Sequence, residues 1–207
     1  MSADEFDSRL DGELITTALT GQLIGSRIVV LEQATSTNDV IGEMAAANNE
    51  GLVVFAETQT AARGQYGRRW ESKPRQGLWL SILLRPGIVV SESARLTDLL
   101  AHAVAASVAA CTGLDCTVKP PNDVYLGARK IAGVLVEMRV EANGGYAAIA
   151  GVGVNVNHSA VDFPPELQAT ASSIAMALGA LVGRNALAIS LLREIEDRYR
   201  PLRRQPN

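Results

Sequence analysis

The segment 57–70 holds the residues of this chain that are best suited to chemistry on an anion. It reads Glu-Thr-Gln-Thr-Ala-Ala-Arg-Gly-Gln-Tyr-Gly-Arg-Arg-Trp and lies between two apolar runs that predict buried strands. Its glycines let the backbone turn several N–H groups toward one concavity, and its arginines add positive charge there. The positions concerned are Arg63, Gly64, Gly67, Arg68 and Arg69. This grouping predicts a phosphate-binding loop rather than a basic surface loop.

A second source of positive charge for a phosphate is Lys130, which begins the run Lys-Ile-Ala-Gly-Val-Leu-Val-Glu. A lysine before an apolar strand is ordinarily a solvated edge charge. Here Gly133 allows another group to approach the backbone closely, which places Lys130 beside a space that can hold a ligand. An ammonium group in that position acts as a point charge on a phosphate. The motif Lys-Pro-Pro-Asn-Asp at 119–123 predicts a rigid turn just upstream.

Two segments offer polar side chains for a heterocycle. The run Thr-Ser-Thr-Asn at 35–38 precedes a helix-prone stretch and predicts a helix cap, but its hydroxyl and amide groups also suit a small polar ring. The run at 151–155 lacks the third glycine and the following helix of a dinucleotide-binding motif, which excludes a Rossmann interpretation. Asn155 nevertheless carries the donor and the acceptor that an adenine edge requires. The indole of Trp70 either packs over adenine or anchors its loop in the core.

The hydrophobic pattern predicts strands and helices that alternate along the chain. Strands are predicted at 27–31, 52–56, 78–84, 115–119, 130–140 and 146–156, and helices at 6–20, 40–47, 91–110, 172–178 and 184–200. The last two strands are separated by Asn-Gly-Gly, which predicts a hairpin. Strands joined both by hairpins and by helices indicate an α/β chain of the α+β type, with a mixed sheet and helices mainly on one face.

The composition is that of a globular protein of 207 residues, with 47% apolar and 20% charged residues. A net charge of −3 argues against broad, non-specific binding to nucleic acid. Cys111 and Cys116 have no partners at metal-ligand spacing, and His102 and His158 stand far apart, so neither a disulfide nor a metal site is expected. The acidic N-terminal segment is unlike a signal peptide, and no apolar run of ~18 residues stands out, so we expect a cytoplasmic protein without a membrane segment.

Taken in order, six motifs resemble the catalytic domain of biotin protein ligases, over roughly residues 28–200. The motifs lie at 36–38, 57–70, 77–81, 119–123, 130–137 and 151–155. The related lipoate ligases carry a different loop, with a glycine run and a histidine, which this chain lacks. The resemblance implies a single biotin/lipoate ligase catalytic domain over 1–207, with a fold like that of class II aminoacyl-tRNA synthetases.

The resemblance implies a reaction in two steps. Biotin and ATP, with Mg²⁺, form biotinyl-adenylate and pyrophosphate, and a lysine of an acceptor protein then attacks the mixed anhydride. The implied acceptor is the biotin carboxyl carrier protein of acetyl-CoA carboxylase or of a related carboxylase. Because the first step brings a carboxylate against a triphosphate, it needs fixed positive charge around the α-phosphate.

The resemblance also implies a role for each site residue. Those implied to bind biotin are Ser36, Thr37, Asn38, Gln59, Gly64, Trp79, Lys130 and Gly133. Those implied to bind ATP are Arg63, Gln65, Arg68, Trp70, Lys130 and Asn155. Those implied to be catalytic are Lys130, Arg63, Arg68 and Asp123, the last as a carboxylate near the metal or the acceptor lysine. No protein ligand of a metal is assigned, and the 57–70 loop is expected to close over the adenylate and protect it from water.

Three positions depart from the family pattern. Ala62 stands where the family usually has glycine, which puts the backbone conformation at the start of the loop in question. Gln65 replaces a usual arginine, so one phosphate-facing charge is missing and the intermediate is expected to leak more readily. Pro120 replaces a usual tryptophan beside Lys119, a change expected to affect packing only.

The sequence also predicts the domain organisation and leaves two alternative functions open. Fewer than ~30 residues precede the first predicted strand and a winged helix-turn-helix needs about twice that number, so we expect no DNA-binding domain and no DNA partner. The small C-terminal β-barrel of family members is also expected to be absent, and a homodimer paired through the sheets stays open. The alternative functions are a non-catalytic biotin or adenylate binder, which Ala62 and Gln65 would suit, and a ligase for another acyl group such as lipoate or octanoate.

Overall fold

The computed structural model describes residues 9–68, 70–142 and 144–203. Its strands are β1 (Arg27–Leu31), β2 (Leu52–Ala56), β3 (Gly77–Leu84), β4 (Thr117–Lys119), β5 (Asp123–Leu126), β6 (Arg129–Val140) and β7 (Tyr146–Asn155). Its helices are α1 (Gly12–Ala18), α2 (Thr37–Met44), α3 (Ser93–Thr112), α4 (Ile174–Leu178) and α5 (Arg184–Tyr199). Arg69 of the loop, Asn143 of the hairpin turn and residues 6–8 of the first predicted helix lie outside the described residues.

The seven strands form one sheet in the order β1-β2-β3-β7-β6-β5-β4. β1 and β2 are parallel, and the other neighbouring pairs are antiparallel. The sheet is therefore mixed, as the sequence predicts, and the β6–β7 hairpin is confirmed. β5 was not predicted, because its four residues follow the Pro-Pro turn so closely that the local sequence favours a turn. Its pairing with β4 and β6 makes it a strand.

Helices α3 and α5 pack on one face of the sheet, and α2 packs on the other. In β2, Val53 and Phe55 belong to the larger core under α3 and α5, whereas Val54 packs with Ile41 of α2. This alternation is the period of two expected for a strand that is buried on both faces. The helices thus lie mainly on one face, as predicted.

Within the described part of the chain, α3 with the turn before it is the one helix long and apolar enough to cross a membrane by length and composition. Four of its buried residues, Leu96, Leu100, Val104 and Val108, recur at a spacing of four and belong to the larger core. Gly113 follows the helix with a φ of 73°, a left-handed conformation that favours glycine. In this fold α3 is a core helix that covers the sheet.

A buried ion pair fixes both ends of the long connection between β2 and β3. Glu57, directly after β2, accepts from Arg184 Nη2 of α5 at 2.6 Å, and both side chains are almost fully buried. Arg184 Nη1 donates to the carbonyl of Gly77, where β3 begins, at 2.8 Å. The second Glu57 oxygen accepts from the Leu10 amide at 2.7 Å. The loop that carries the basic residues therefore starts and ends at fixed points.

Candidate active site

A cavity of about 440 Å³ lies beside the first turn of α2, over β6 and β7. The predicted site residues that line it are Ser36, Thr37, Asn38, Gln59, Arg63, Gly64, Gln65, Arg68, Trp70, Asp123, Lys130, Gly133 and Asn155. Trp79 is the one predicted site residue that does not line the cavity. The fold thus brings together motifs that are as far apart in the sequence as Ser36 and Asn155.

The floor of the cavity is a patch of glycines on adjacent strands. Gly133 of β6 pairs with Gly153 of β7, and Gly151 follows on the same face of β7. A Cβ atom added to Gly133 would lie 3.0 Å from Trp70 Cζ3, and one added to Gly153 would lie 3.0 Å from Trp70 Cε2. The Trp70 indole therefore rests directly on the backbone of both strands, which no residue with a side chain would allow.

Trp79 of β3 pairs with Gly153, so its side chain lies on the same face of the sheet as the floor, next to Trp70. It is fully buried, and its ring meets that of Trp70 edge-on with the ring centres 6.3 Å apart. The expected contact of Trp79 with biotin is therefore not visible as a cavity wall. Trp79 instead supports Trp70, which does line the cavity.

Lys130 supplies positive charge inside the cavity. Its Nζ lies 2.6 Å from Asp123 Oδ1 and 5.1 Å from the centre of the Trp70 ring. More than a quarter of each charged side chain is exposed, so this ion pair is only weakly favourable. The ammonium group can therefore exchange Asp123 for an anionic ligand. Arg68 is exposed and lines the same cavity.

A β-bulge in β6 turns Lys130 toward the glycine floor. Lys130 pairs with Tyr125 and Ala132 pairs with Val124, so Ile131 is an extra residue without a partner on β5. In a regular strand, residues three apart face opposite sides of the sheet. With the bulge, Lys130 Nζ lies 3.4 Å from the Cβ position of Gly133, whereas Ile131 is buried in the core.

The first turn of α2 forms a polar wall of the cavity. Ser36 precedes the helix, but its side chain makes no capping hydrogen bond, so the cap interpretation does not account for this hydroxyl. The Thr37 amide donates to Gln59 Oε1 at 2.7 Å. Ser81 Oγ of β3 lies 2.7 Å from Thr37 Oγ1 and 2.6 Å from Asn38 Oδ1. These buried and mutually oriented groups suit a small polar ring.

Arg63 is held by carboxylates. It forms a bidentate ion pair with Asp39 of α2, at 2.9 Å and 2.6 Å, and Glu137 Oε1 of β6 lies 3.8 Å from its Nη2. The hydrogen bonds with Asp39 raise the pKa of Arg63 and lower the pKa of Asp39. Sequence reasoning missed both carboxylates. An aspartate in the first turn of a helix ordinarily complements the helix dipole, so the position of Asp39 gave no reason to predict a pairing with Arg63.

The segment 157–171, which the sequence left irregular, forms another wall. Phe163 and Leu167 line the cavity, and the Thr170 carbonyl accepts from the Lys130 amide at 2.8 Å. Asn155 lies at the end of β7 beside this wall and donates from Nδ2 to the Ser172 carbonyl at 3.1 Å. The only sequence signal for this wall was one phenylalanine in a loop, which is weak evidence.

His158 supports that wall from behind. Its ring stacks on Phe163 with the ring centres 5.2 Å apart and meets Trp79 edge-on at 5.8 Å. Burial lowers the pKa of His158 to about 4, so the imidazole is neutral at pH 7. No role for His158 could be predicted from the sequence, because its contact with Trp79 joins residues that are far apart in the chain.

The structure shows where the two residues of the 57–70 loop that depart from the family pattern, Ala62 and Gln65, lie. Among the described residues other than glycine, Arg75 alone has a positive φ, so Ala62 adopts a conformation open to any residue. Its carbonyl accepts from the Trp70 amide at 3.0 Å and closes the loop. Gln65 lines the cavity at the start of a 3₁₀ turn that ends at Gly67, whose φ is 71°.

Comparisons with known proteins place the sequence among biotin and lipoate ligases. The model of the biotin/lipoate A/B protein ligase family matches residues 30–155. The bifunctional ligase/repressor BirA of Bacillus spizizenii is 35% identical over 193 residues, which are 93% of this chain and 59% of that protein. A biotin–(acetyl-CoA-carboxylase) ligase of Mycobacterium tuberculosis is 35% identical over 201 residues, covering 92% of this chain and 72% of that protein.

Solved structures give the same family. The biotin protein ligase of Aquifex aeolicus, in complex with biotin and ATP, matches with a TM-score of 0.75 at 27% identity, covering 86% of this chain and 72% of that one. That of Leishmania major, in complex with biotinyl-5-AMP, matches with a TM-score of 0.68 at 26% identity, covering 84% and 75%.

This chain belongs to the biotin/lipoate A/B protein ligase family. The resemblance drawn from the six motifs is confirmed for the family, and the expected mixed-sheet fold is confirmed as well. The chain spans 59% of the length of the Bacillus relative.

Proposed function

We propose that this chain is the catalytic unit of an ATP-dependent biotin protein ligase. It forms biotinyl-adenylate from biotin and ATP with release of pyrophosphate, and then transfers biotin to one lysine of a carrier domain. The observation that carries the proposal is a single cavity with a neutral hydrogen-bonding wall at α2 and the cations Lys130 and Arg68 over a glycine floor. A cyclic urea suits the first part of this cavity, and a phosphate suits the second.

Each substrate is assigned to residues of that cavity. Biotin is assigned to Ser36, Thr37, Asn38, Gln59, Gly64, Lys130 and Gly133, with Trp79 as a support next to Trp70. ATP is assigned to Arg63, Gln65, Arg68, Trp70, Lys130 and Asn155. Arg63 would have to leave Asp39 before it could contact a phosphate.

In the first step, a carboxylate oxygen of biotin bonds to the α-phosphorus of ATP. The bond from that phosphorus to the bridging oxygen breaks, and pyrophosphate leaves with the electron pair. Lys130 is the central charge in this step, because the bulge directs its Nζ over the floor where both anions must meet. Arg68 and the amides of the 65–67 turn add to the positive potential.

In the second step, the neutral amine of an acceptor lysine attacks the carbonyl carbon of the anhydride. An amide bond forms, the carbon–oxygen bond to AMP breaks, and the amine gives up a proton. Asp123 is the carboxylate assigned to accept that proton, since it lines the cavity 2.6 Å from Lys130.

Mg²⁺ enters this proposal as part of the substrate MgATP. The described residues contain no group of three or more histidine, cysteine, aspartate or glutamate side chains that could hold a metal. Mg²⁺ on a nucleotide needs only one or two carboxylates, because phosphates and water supply its other ligands. Asp123 is the carboxylate of the cavity nearest to Lys130 and is the candidate ligand.

The acceptor proposed for this ligase is a biotin carboxyl carrier protein of acetyl-CoA carboxylase or of a related carboxylase. The support comes from relatives whose names state that activity, in Mycobacterium tuberculosis and in Paracoccus denitrificans. A cytoplasmic location, with neither DNA nor membrane as a partner, belongs to the same proposal, and a homodimer is left open.

Pyrophosphate release tests the first step, and mass spectrometry of an added carrier domain tests the second. We expect release that depends on both biotin and ATP, followed by biotin on one carrier lysine. Lys130→Ala should lower adenylate formation by at least about 100-fold. Lys73→Ala is the matched control, since Lys73 is an exposed lysine outside the cavity and should keep wild-type activity.

The two alternative functions give different results in the same assay. A non-catalytic binder would bind biotin and release no pyrophosphate. A ligase for another acyl group would release pyrophosphate faster with lipoate or octanoate than with biotin. Either result with folded wild-type protein would overturn the proposal.

A further inference from the structure

A chain of hydrogen bonds runs from Glu137 on β6 to the polar wall of the cavity. Glu137 Oε2 lies 2.6 Å from Asn38 Nδ2, and Asn38 Oδ1 lies 2.6 Å from Ser81 Oγ. Ser81 Oγ in turn lies 2.7 Å from Thr37 Oγ1. Ser81 is fully buried, and Thr37 and Asn38 are almost so. Among these groups Thr37 and Asn38 line the cavity, whereas Glu137 and Ser81 do not.

The carboxylate at one end fixes the direction of every bond in this chain. An ionised carboxylate only accepts, so Asn38 must turn its Nδ2 toward Glu137 and its Oδ1 toward Ser81. Asn38 Oδ1 only accepts as well, so the single Ser81 proton points to it. The proton between Ser81 and Thr37 must then come from the Thr37 hydroxyl. Glu137 thus decides the state of a hydroxyl three groups away.

The direction of these hydrogen bonds fixes which groups donate and which accept at the cavity wall. Thr37 Oγ1 also lies 3.3 Å from Gln59 Oε1, but its contact with Ser81 Oγ is shorter, at 2.7 Å. Because both of these groups take its proton as acceptors within the wall, the Thr37 hydroxyl can only accept a hydrogen bond from a ligand. Gln59 Oε1 accepts from the Thr37 amide, so its Nε2 is the end left to donate. An acceptor beside a donor matches the N–H and C=O groups of a cyclic urea.

We propose that Glu137 is a positioning residue that sets the ligand specificity of the polar wall, an inference that rests on the proposed binding of biotin there. It acts through Asn38 and Ser81 and keeps Thr37 as an acceptor for a ureido N–H. Arg63 Nη2, 3.8 Å from Glu137 Oε1, faces the second carboxylate oxygen, so the two oxygens have different partners and a fixed orientation.

The test compares biotin with a cyclic carbamate analogue in which an oxygen replaces the ureido N–H, made for each of the two nitrogens. Wild-type protein should bind biotin and reject at least one analogue by about 100-fold, because Thr37 would then face another acceptor. In Glu137→Leu the Asn38 amide can turn over and the Thr37 proton is released. Isothermal titration should then show biotin binding about 10-fold weaker and discrimination against that analogue below about 10-fold.

Conservative variants and the affinity for ATP distinguish the positioning role of Glu137 from a general structural role. Glu137→Gln still offers an acceptor to Asn38 and should keep discrimination within about threefold of wild type. Ser81→Ala interrupts the chain at its centre and should lose discrimination as Glu137→Leu does, which covers the case in which the leucine variant fails to fold. ATP affinity should stay unchanged in Glu137→Gln and Ser81→Ala, whereas Glu137→Leu also removes a carboxylate beside Arg63 and is compared by its discrimination between the biotin analogues.

The outcomes distinguish this inference from the proposed function. Wild-type protein that does not bind biotin overturns the proposed function and the inference with it. Wild-type protein that binds biotin, with full discrimination kept in both Glu137→Leu and Ser81→Ala, overturns the inference alone. Parallel losses of biotin and ATP affinity in Ser81→Ala would assign this hydrogen-bond chain a general structural role and would also overturn the inference.

Discussion

Gly151 and Gly153 lie two residues apart on β7, yet each gives room to a different side chain. A Cβ on Gly151 would lie 2.4 Å from Asn38 Oδ1, a distance that no real contact reaches. Asn38 and the first turn of α2 must therefore move in Gly151→Ala. We expect biotin to bind about 30-fold more weakly, equivalent to ~2 kcal/mol, with the KM for ATP changed less than about threefold. Titration with biotin and steady-state kinetics measure the two effects.

Gly153→Ala should have the opposite selectivity. Its Cβ would lie 3.0 Å from Trp70 Cε2 and 3.1 Å from Nε1, so the indole must lift from the floor. Because Trp70 is assigned to adenine, we expect the KM for ATP to rise about 10-fold, equivalent to about 1.4 kcal/mol, and the Kd for biotin to stay unchanged. The two alanine variants are matched controls for each other. Equal losses of both ligands in both variants would contradict this division of the cavity.

The sequence predicted which residues can bind a ligand better than it predicted which residues those side chains contact. Lys130 and Asn155 could be selected because charge and hydrogen-bonding capacity belong to the residue itself. The pairing of Arg63 with Asp39 depends on how far the loop folds back onto α2, and no local pattern encodes that distance. Trp79 shows the same limit, since only tertiary packing decides that it is fully buried next to Trp70 and does not line the cavity.

At the scale of elements, the strands buried on both faces were the easiest to predict. β2, which is buried throughout, has the predicted bounds, because a continuous apolar run between polar loops is typical of such a strand. The bounds of β1 are also as predicted, although this edge strand is only partly buried. The bulge at Ile131 could not be predicted, because it exists only through the register between β5 and β6. The segment 157–171 joins the site through backbone bonds to Lys130, and a backbone contact leaves no trace in side-chain periodicity.

The connection between β2 and β3 depends on the buried pair of Glu57 and Arg184. Glu57→Gln keeps the shape of the side chain and removes its charge, which leaves a buried guanidinium without its ionic partner. We expect the free energy of unfolding to fall by roughly 3–5 kcal/mol in urea titrations. Glu194→Gln, which breaks the partly exposed pair with Arg198 one helical turn away, should cost less than about 0.5 kcal/mol. Similar small losses in both variants would show that the buried pair does not anchor the loop.

On the scale of the whole molecule, the cavity exists because the sheet is covered unequally. Helices α3 and α5 cover one face, while the other face carries α2 over β2, β3 and β7. The part of β6 and β7 beyond α2 is left to two loops and to glycines that hold no side chains over it. A ligand can therefore lie directly on the sheet, and the same unequal covering buries His158 against Trp79 and Phe163.

The buried His158 should make global stability depend on pH in a defined window. Its pKa is lowered from 6.5 to about 4, first by burial, and the charges that act on it are Asp162, which raises the pKa, and Lys73, which lowers it. Because the unfolded chain binds this proton more readily, the stabilisation is complete above pH 6.5 and is lost as the pH falls toward 4. The loss attributable to His158 should be about 3 kcal/mol over that window. Asp162, whose pKa is lowered to about 2 by hydrogen bonds from Ser159, loses its own contribution only at lower pH.

Urea unfolding of wild type and His158→Phe between pH 7 and 4 measures this contribution. Phenylalanine keeps an aromatic ring beside Phe163 and cannot titrate, so the pH dependence of its unfolding free energy should be flatter by about 3 kcal/mol across the window. His102→Gln is the matched control, because His102 lies on the exposed side of α3 and should keep the wild-type slope. Identical slopes in wild type and His158→Phe would mean that the imidazole is hydrated in the folded protein. The wall that it supports would then be more open than the packing of its neighbours indicates.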